Sequence, residues 1–138
     1  MSYGRQASRY RDTEVLTATP GQLVVLLYDH LLASLHRARA AMDAHNDEQL
    51  SEQLDKSRNV LTELLVTLDR ERGGEVASNL AALYSFLLGE LVQVGVRSDV
   101  ARLERVTRMI AELREAFAQA ATTPTAVAAG ARLEARSA

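Results

Sequence analysis

The feature that most constrains this chain is the spacing of its leucines, which recur three and four residues apart along most of the sequence. Because 3.6 residues complete a helical turn, this spacing places apolar side chains along one side of an α-helix. One stretch carries Leu50, Leu54, Leu61, Leu64, Leu65 and Leu68. The next carries Val76, Leu80, Leu83, Leu87, Leu91 and Val94, and the last carries Leu103, Val106, Ile110, Leu113 and Phe117. The spacing therefore predicts three amphipathic helices.

A further helix is predicted before these three, because the chain carries a strong start signal. In Thr19-Pro20-Gly21-Gln22, the side chains of Thr19 and Gln22 can form a capping box, and proline suits the first helical position. The first helix is therefore predicted from about residue 20 to 44. The second is predicted to start at Asp47, where an acidic side chain is favourable at the positive end of the helix dipole.

Other local signals predict where the later helices end and begin. Gly73-Gly74 is predicted to end the second helix as a left-handed cap, with the third helix beginning near Glu75. The third helix is expected to end near residue 96 or 97. Ser98 or Asp99 can cap the fourth helix, and Thr122-Thr123-Pro124 is expected to end it.

Four helices joined by short turns favour one architecture. Short connections make consecutive helices antiparallel neighbours, which gives an all-α, antiparallel up-and-down four-helix bundle with an N-terminal arm. The bundle is predicted over residues 19–121. Residues 1–18 show no apolar period and are predicted to be a mobile arm, and residues 122–138 are predicted to be a flexible tail.

Composition agrees with a helical chain and excludes several classes of protein. Of the 138 residues, 22 are Ala and 21 are Leu, two strong helix formers. The absence of cysteine excludes disulfides and thiolate metal sites. The net charge of −2 gives no electrostatic footprint for nucleic acid, and the longest apolar run, residues 23–28, is too short to cross a bilayer. We therefore expect a soluble, cytoplasmic protein without a secretory signal or membrane insertion.

The sequence predicts neither an enzyme nor a cofactor or metal site. Di-iron bundles carry Glu-x-x-His on inward faces, and none of His30, His36 and His45 has a glutamate three residues before it. No zincin motif, P-loop or dinucleotide-binding turn occurs. A ligand- or metal-binding bundle remains an alternative that these missing pairs argue against.

The first helix carries more apolar side chains than one stripe requires. Residues 23–28 are six consecutive apolar residues, so they extend all the way round the helix. The third helix also spreads beyond one stripe, at Leu83, Tyr84, Phe86, Leu87 and Leu88. Either the first helix lies centrally, with the arm over its outer side, or the surplus is a hydrophobic docking surface for a partner helix. Both hold together if the arm covers the groove when the partner is absent.

Three blocks of sequence, in order, carry a recognisable pattern. The first consists of Tyr10, Val15-Leu16-Thr17-Ala18-Thr19-Pro20 and Leu26-Leu27-Tyr28-Asp29. The second consists of Glu63-Leu64, Leu68-Asp69, Gly73-Gly74-Glu75-Val76-Ala77, Asn79-Leu80 and Leu83-Tyr84. The third is Glu112-Leu113-Arg114-Glu115-Ala116-Phe117. Together these blocks resemble FliS, the family of flagellin-specific export chaperones, over about residues 10–117. The chain departs from the family pattern at Thr19, commonly Ser, and at Phe117, commonly Trp.

The resemblance implies a function and partners. It implies a helical bundle that binds the disordered C-terminal segment of flagellin in the cytoplasm, prevents premature polymerisation and supports export through the flagellar type III system. The export gate is then a second partner once flagellin is bound. In such chaperones the client forms helices in apolar grooves, and the N-terminal arm can occupy a groove when no client is bound. The alternative is a helical-bundle adaptor or regulator that binds another amphipathic segment.

The resemblance and the apolar surplus together nominate ten partner-binding residues. Six lie in or near the arm, namely Tyr10, Val15, Leu23, Leu26, Leu27 and Tyr28, and four lie on the third helix, namely Leu83, Tyr84, Leu87 and Leu88. For Tyr84 a structural alternative is a buried polar pair with Asn79 that fixes helix register. Asp29 is expected to orient local structure rather than to contact the client.

Overall fold

A computed structural model describes residues 19–121, and in this part of the chain the regular structure is entirely α-helical. The four helices are α1 (Pro20–Asp43), α2 (Asp47–Val66), α3 (Arg70–Arg97) and α4 (Val100–Ala120). Each packs against its neighbour in the chain, and α1 also packs against α4, which closes the ring. The predicted all-α four-helix bundle is confirmed. The predicted arm and tail, and with them Tyr10 and Val15, lie outside the described residues.

The start of α1 follows the predicted capping box. The Gln22 N–H donates to Thr19 Oγ1 over 3.2 Å, and the Thr19 N–H donates to Gln22 Oε1 over 2.9 Å. These two bonds satisfy backbone donors that the first helical turn leaves unpaired. The predicted start of α2 at Asp47 is also confirmed, with the Asn46 side chain accepting from the Gln49 N–H over 3.1 Å.

The prediction that Gly73-Gly74 ends the second helix is wrong. α2 ends earlier, at Val66, and α3 begins at Arg70. The reason is a cap that the periodicity did not indicate: Asp69 Oδ1 accepts from the Arg72 N–H over 3.1 Å and starts a helical turn before the glycines. Gly74 then interrupts α3 with φ 54° and ψ −132°, a backbone conformation that favours glycine. The glycine pair therefore kinks the start of α3.

The core lies along the bundle axis and contains most of the predicted stripes of α2 and α4. On α3 the predicted stripe is correct only from Leu87 onward: Val76 is 56% exposed, and the buried positions before Leu87 are Ala77, Ala81 and Tyr84. The fully buried members of the core include Leu31, Leu61, Leu87, Leu103 and Ile110.

Three polar side chains are also buried, and two of them join α1 to α2: Ser34 Oγ and Ser57 Oγ lie 2.7 Å apart. Each hydroxyl has a single hydrogen, so one serine donates to the other, and the second donates to a carbonyl of its own helix. Both buried hydroxyls are thereby hydrogen-bonded.

Asp99 caps α4; the sequence predicted either Ser98 or Asp99 in this role. Its Oδ1 accepts from the Arg102 N–H over 3.0 Å, and Arg102 Nε donates to its Oδ2 over 3.3 Å. Arg102 also forms an ion pair with Glu90 of α3, so this cluster links the two helices. The backbone hydrogen bond from Arg102, and then its guanidinium, lower the pKa of Asp99 below the ordinary value of 3.8.

We expect Asp99→Asn to destabilise the bundle at neutral pH but not in acid. A carboxylate whose pKa is lowered by folding stabilises the protein above its ordinary pKa, and this contribution is lost as the pH falls through the lowered value. The single side-chain oxygen of asparagine still accepts the capping bond, so the substitution removes the charge and the acceptor for Arg102 Nε but not the cap. Melting temperatures at pH 7 and near pH 2 test this, with Glu112→Gln, an exposed site without an ion pair among residues 19–121, as the control. An equal deficit at both pH values would contradict the assignment.

Candidate functional site

The outward side of α3 is an exposed surface without charge. It is formed by residues spaced along almost the whole helix, and we call it the α3 outer face: Ser78, Ala82, Ser85, Phe86, Gly89, Val92 and Val96. Three of these are large apolar residues with 53%, 47% and 74% of their surface exposed, namely Phe86, Val92 and Val96. Exposed apolar groups along a whole helix side are typical of a contact surface.

The lack of charge on α3 distinguishes it from the other helices. Between residues 76 and 96 the only charged residue is Glu90, and its carboxylate is engaged by Arg102 at the contact with α4. The outward sides of the other helices are charged, for example at Glu52 and Asp55 of α2 and at Arg105 and Arg108 of α4. An uncharged helix side with exposed apolar residues is typical of a surface that contacts a partner.

The same helix is apolar enough to pass a simple test for a membrane span. By length and composition alone, α3 could cross a membrane, and 33% of its apolar stretch is buried within the bundle. The longest apolar run in the sequence, residues 23–28, lies in α1, so the length of that run did not indicate how apolar α3 is. Core helices of soluble proteins meet the same criterion of length and hydropathy, so this result shows only that α3 is strongly apolar.

A groove between α2 and α3 lies next to the α3 outer face. It has a volume of about 700 Å³, with Leu50 and Leu54 buried in its floor and Val92 and Val96 on the α3 side. A Cβ added at Gly95 would lie 3.4 Å from Leu54 Cδ1, an ordinary van der Waals contact, so Gly95 faces Leu54 across the groove. The groove lining also contains the charged residues Asp47 and Arg58 and the polar residues Ser51 and Ser98. The groove and the α3 outer face share Val92 and Val96, so together they form one continuous surface whose groove side is partly polar.

The apolar surplus of α1 has a different outcome. No large apolar side chain of α1 is exposed, because the contacts of α1 with α2 and α4 are much more extensive than those of α3 with its two neighbours. Leu31 and Leu35 are buried, whereas Leu23 and Leu26 are half-buried. The structure therefore favours a central position of the first helix over an open docking surface on it.

The ten nominated residues fall into three groups. Tyr28, Tyr84 and Leu87 have no exposed surface and belong to the core. The half-buried members are Leu23, Leu26, Leu27, Leu83 and Leu88. Tyr10 and Val15 lie outside the described residues. A docking role for each of the ten stays a prediction, and Tyr28, Tyr84 and Leu87 could take part only through a change that exposes them.

Residues of the three sequence blocks meet inside the bundle. The hydroxyl groups of Tyr28 and Tyr84 hydrogen bond to each other, and the Tyr28 ring centroid lies 5.4 Å from that of Phe117. This cluster joins α1, α3 and α4. Asn79 is exposed, so the polar partner found for Tyr84 is Tyr28 and not Asn79.

An ion pair beside this cluster also joins two blocks. Arg114 Nε of α4 donates to Asp29 Oδ1 of α1 over 2.9 Å. This hydrogen bond, together with the charge of Asp29, raises the pKa of Arg114. Asp29 therefore orients the packing of α1 on α4, which agrees with the structural role expected for it.

Comparison with known proteins identifies the family that shares this arrangement. The family described as Flagellar protein FliS matches residues 3–124, which is most of the chain. The chain belongs to the FliS family. The flagellar secretion chaperone FliS of Salmonella typhimurium is 33% identical over 109 residues, which cover 78% of this chain and 81% of that protein. The FliS proteins of Escherichia coli and Bacillus subtilis are each 32% identical, over 84% and 80% of this chain and 86% and 82% of their own lengths.

The family assignment confirms the resemblance seen in the sequence blocks. FliS relatives are named flagellar secretion chaperones, so the chain is placed among chaperones of flagellum assembly rather than among enzymes. Within residues 19–121 no group of three or more His, Cys, Asp or Glu side chains could hold a metal ion.

The sequence blocks did not indicate the exposed apolar residues of the α3 outer face. Val92 and Val96 of the α3 outer face were not among the ten nominated residues, and Phe86 was noted only as apolar surplus. The sequence feature that could have indicated this surface is the stretch of residues 76–89, which contains no charge. Periodicity counts apolar positions, whereas this surface is also marked by small and uncharged residues such as Ala82, Ser85 and Gly89.

Proposed function

We propose that this FliS-family chain is a cytoplasmic chaperone that binds the disordered C-terminal region of flagellin. Binding prevents premature polymerisation and supports flagellin export through the flagellar type III secretion system, with the export gate as a further partner of the loaded chaperone. The observation that carries the proposal is the uncharged, exposed α3 outer face in a member of a flagellar secretion chaperone family.

The dimensions of this surface suit a helical client segment. Residues 78 to 96 of α3 span about 27 Å at the usual helical rise, so a client helix of about five turns could lie along it. The small residues Ala82, Ser85 and Gly89 let a second helix approach closely, and Phe86 and Val92 supply apolar contacts. A disordered segment that folds here loses conformational entropy, so the apolar contacts must exceed that loss.

We expect a synthetic flagellin C-terminal segment to bind the full chain with a negative heat-capacity change and little dependence on salt. Burial of apolar surface lowers the heat capacity, and an uncharged surface offers no ion pairs for salt to screen. Isothermal titration calorimetry at several temperatures and two salt concentrations measures both. A scrambled segment of the same composition is the control, and equal binding of the two segments would contradict the proposal.

The adaptor alternative differs in its client and in its effect on flagellin. A chaperone of the proposed kind, added in equimolar amount, should delay the seeded polymerisation of flagellin in a light-scattering assay. An adaptor for another amphipathic segment should leave that rate unchanged. The assay therefore separates the two functions without assuming which residues make the contacts.

A further inference from the structure

A second groove lies between α1 and α2, where α3 contributes no residue. It has a volume of about 460 Å³, and its lining includes Leu27, His30 and Arg37 of α1 and Lys56, Val60 and Glu63 of α2. We call it the α1–α2 groove. Unlike the α3 outer face, it combines apolar side chains with charges of both signs.

Two hydrogen bonds fix the register of the helices that form this groove. Arg37 Nε donates to Gln53 Oε1 over 3.0 Å, and Ser34 pairs with Ser57. Since α1 and α2 are antiparallel, residues of α1 that precede Ser34 lie beside residues of α2 that follow Ser57. Arg37 and Lys56 therefore share one end of the groove, and Glu63 lies at the other end, beside Leu27.

The guanidinium group of Arg37 is held in place but has no carboxylate partner among residues 19–121. The side chain of Gln53, which binds its Nε, is only 2% exposed and so cannot swing away. Arg39, two residues later, instead forms ion pairs with Asp43 and Glu104. With Nε engaged, the two terminal nitrogens of Arg37 are available for a carboxylate from outside.

The remaining charges give the groove a polarity. Lys56 Nζ lies 3.6 Å from Glu52 with both side chains more than half exposed, so this pair is weak and Lys56 adds to the positive end. Glu63 stands seven residues from Lys56 on the same side of α2, a separation of about 10 Å. Half-buried Val60 lies between the two charged ends, and half-buried Leu27 lies beside Glu63. Two cationic side chains and a net charge of −2 do not favour a nucleic acid.

We propose that the α1–α2 groove docks a helical segment of a partner protein that carries an acidic and a basic residue seven positions apart, with an apolar residue between them. The acidic residue pairs with Arg37 and Lys56, the basic residue pairs with Glu63, and the apolar residue contacts Leu27 and Val60. Because the groove shares no residue with the α3 outer face, this partner binds while α3 carries its client. The proposal does not depend on the identity of that client.

The test uses a fluorescent, alanine-based helical peptide of about 16 residues with Glu, Leu and Arg at positions i, i+4 and i+7. Fluorescence anisotropy with the full chain should show binding that falls at least about tenfold when the peptide Glu is changed to Lys, since a close charge pair is replaced by repulsion. The variant Arg37→Glu should lose binding to the first peptide and gain it for the Lys peptide. Gln53→Leu, which removes the hydrogen bond that holds Arg37 Nε, should weaken binding of the first peptide several-fold. Arg108→Glu, an exposed site on α4, is the control.

Several results would overturn the proposal. One is an absence of binding at millimolar peptide, and another is equal binding of the two peptides. A third is competition between the peptide and the flagellin segment, which would place both on one surface. Nuclear magnetic resonance of the labelled chain should confine peptide-induced shifts to α1 and α2. If dilution of the free chain moves the same signals, a second copy occupies the groove and the proposal fails. Loss of flagellin binding alone would contradict only the proposed function.

Discussion

Phe86→Glu is expected to abolish tight binding of the flagellin C-terminal segment while the bundle remains folded. Phe86 is 53% exposed near the middle of the α3 outer face, so the substitution removes no core contact. Under an apolar client helix the new carboxylate would be buried without a partner, at a cost of about 2 kcal/mol or more, equivalent to at least about a thirtyfold rise in Kd. Calorimetric titration measures the affinity. Surface substitutions of this kind change stability by about 0.5 kcal/mol or less, which thermal unfolding checks.

A matched variant shows whether position or charge causes the loss. Ala40→Glu adds the same carboxylate at an exposed site on α1, the helix diagonally opposite α3 in the bundle. We expect its affinity for the flagellin segment to stay within about twofold of the unchanged chain, because a solvated carboxylate at a site the client does not cover has little effect. Equal losses in both variants would indicate a general effect of net charge. Unchanged affinity in Phe86→Glu would remove the α3 outer face from the proposed function.

The fold was predictable because most of its determinants are local. The capping box at Thr19, the caps at Asn46 and Asp99, and the three apolar stripes each depend on residues within one or two helical turns. Short connections then leave few arrangements for four helices. The wrong boundary between α2 and α3 also comes from a local pattern. Glycine usually follows a helix end, and a cap at Asp69 is a weaker pattern than two adjacent glycines.

The site was less predictable because exposure depends on contacts distant in sequence. The surplus on α1 was visible, but only packing shows that the extensive contacts of α1 with α2 and α4 cover it. Tyr28 and Tyr84 are 56 residues apart, and Asp29 and Arg114 are 85 residues apart. No spacing rule pairs such residues. Their similarity to family members therefore indicated importance without separating a core contact from a client contact.

Leu87→Ala is expected to cause the largest loss of stability among these variants, and it tests one of the nominated site residues directly. Leu87 follows Phe86 in the chain, but it points into the core and has no exposed surface. Truncation of a buried leucine to alanine costs about 2–5 kcal/mol, a large part of the roughly 5–15 kcal/mol that stabilises a typical domain. Urea unfolding followed by circular dichroism measures the loss. An unchanged midpoint would contradict the core assignment.

Comparison of Leu87→Ala with Phe86→Ala separates the two roles that adjacent residues of α3 are proposed to have. Phe86→Ala removes an exposed ring, so we expect a small change in urea midpoint and a clear loss of affinity for the flagellin segment. Leu87→Ala should show the reverse when titrated at a temperature where the variant is fully folded, because the exposed side of α3 is unchanged. If the folded Leu87→Ala variant also loses affinity, client binding draws on the core of the bundle, and α3 must then move to admit the client.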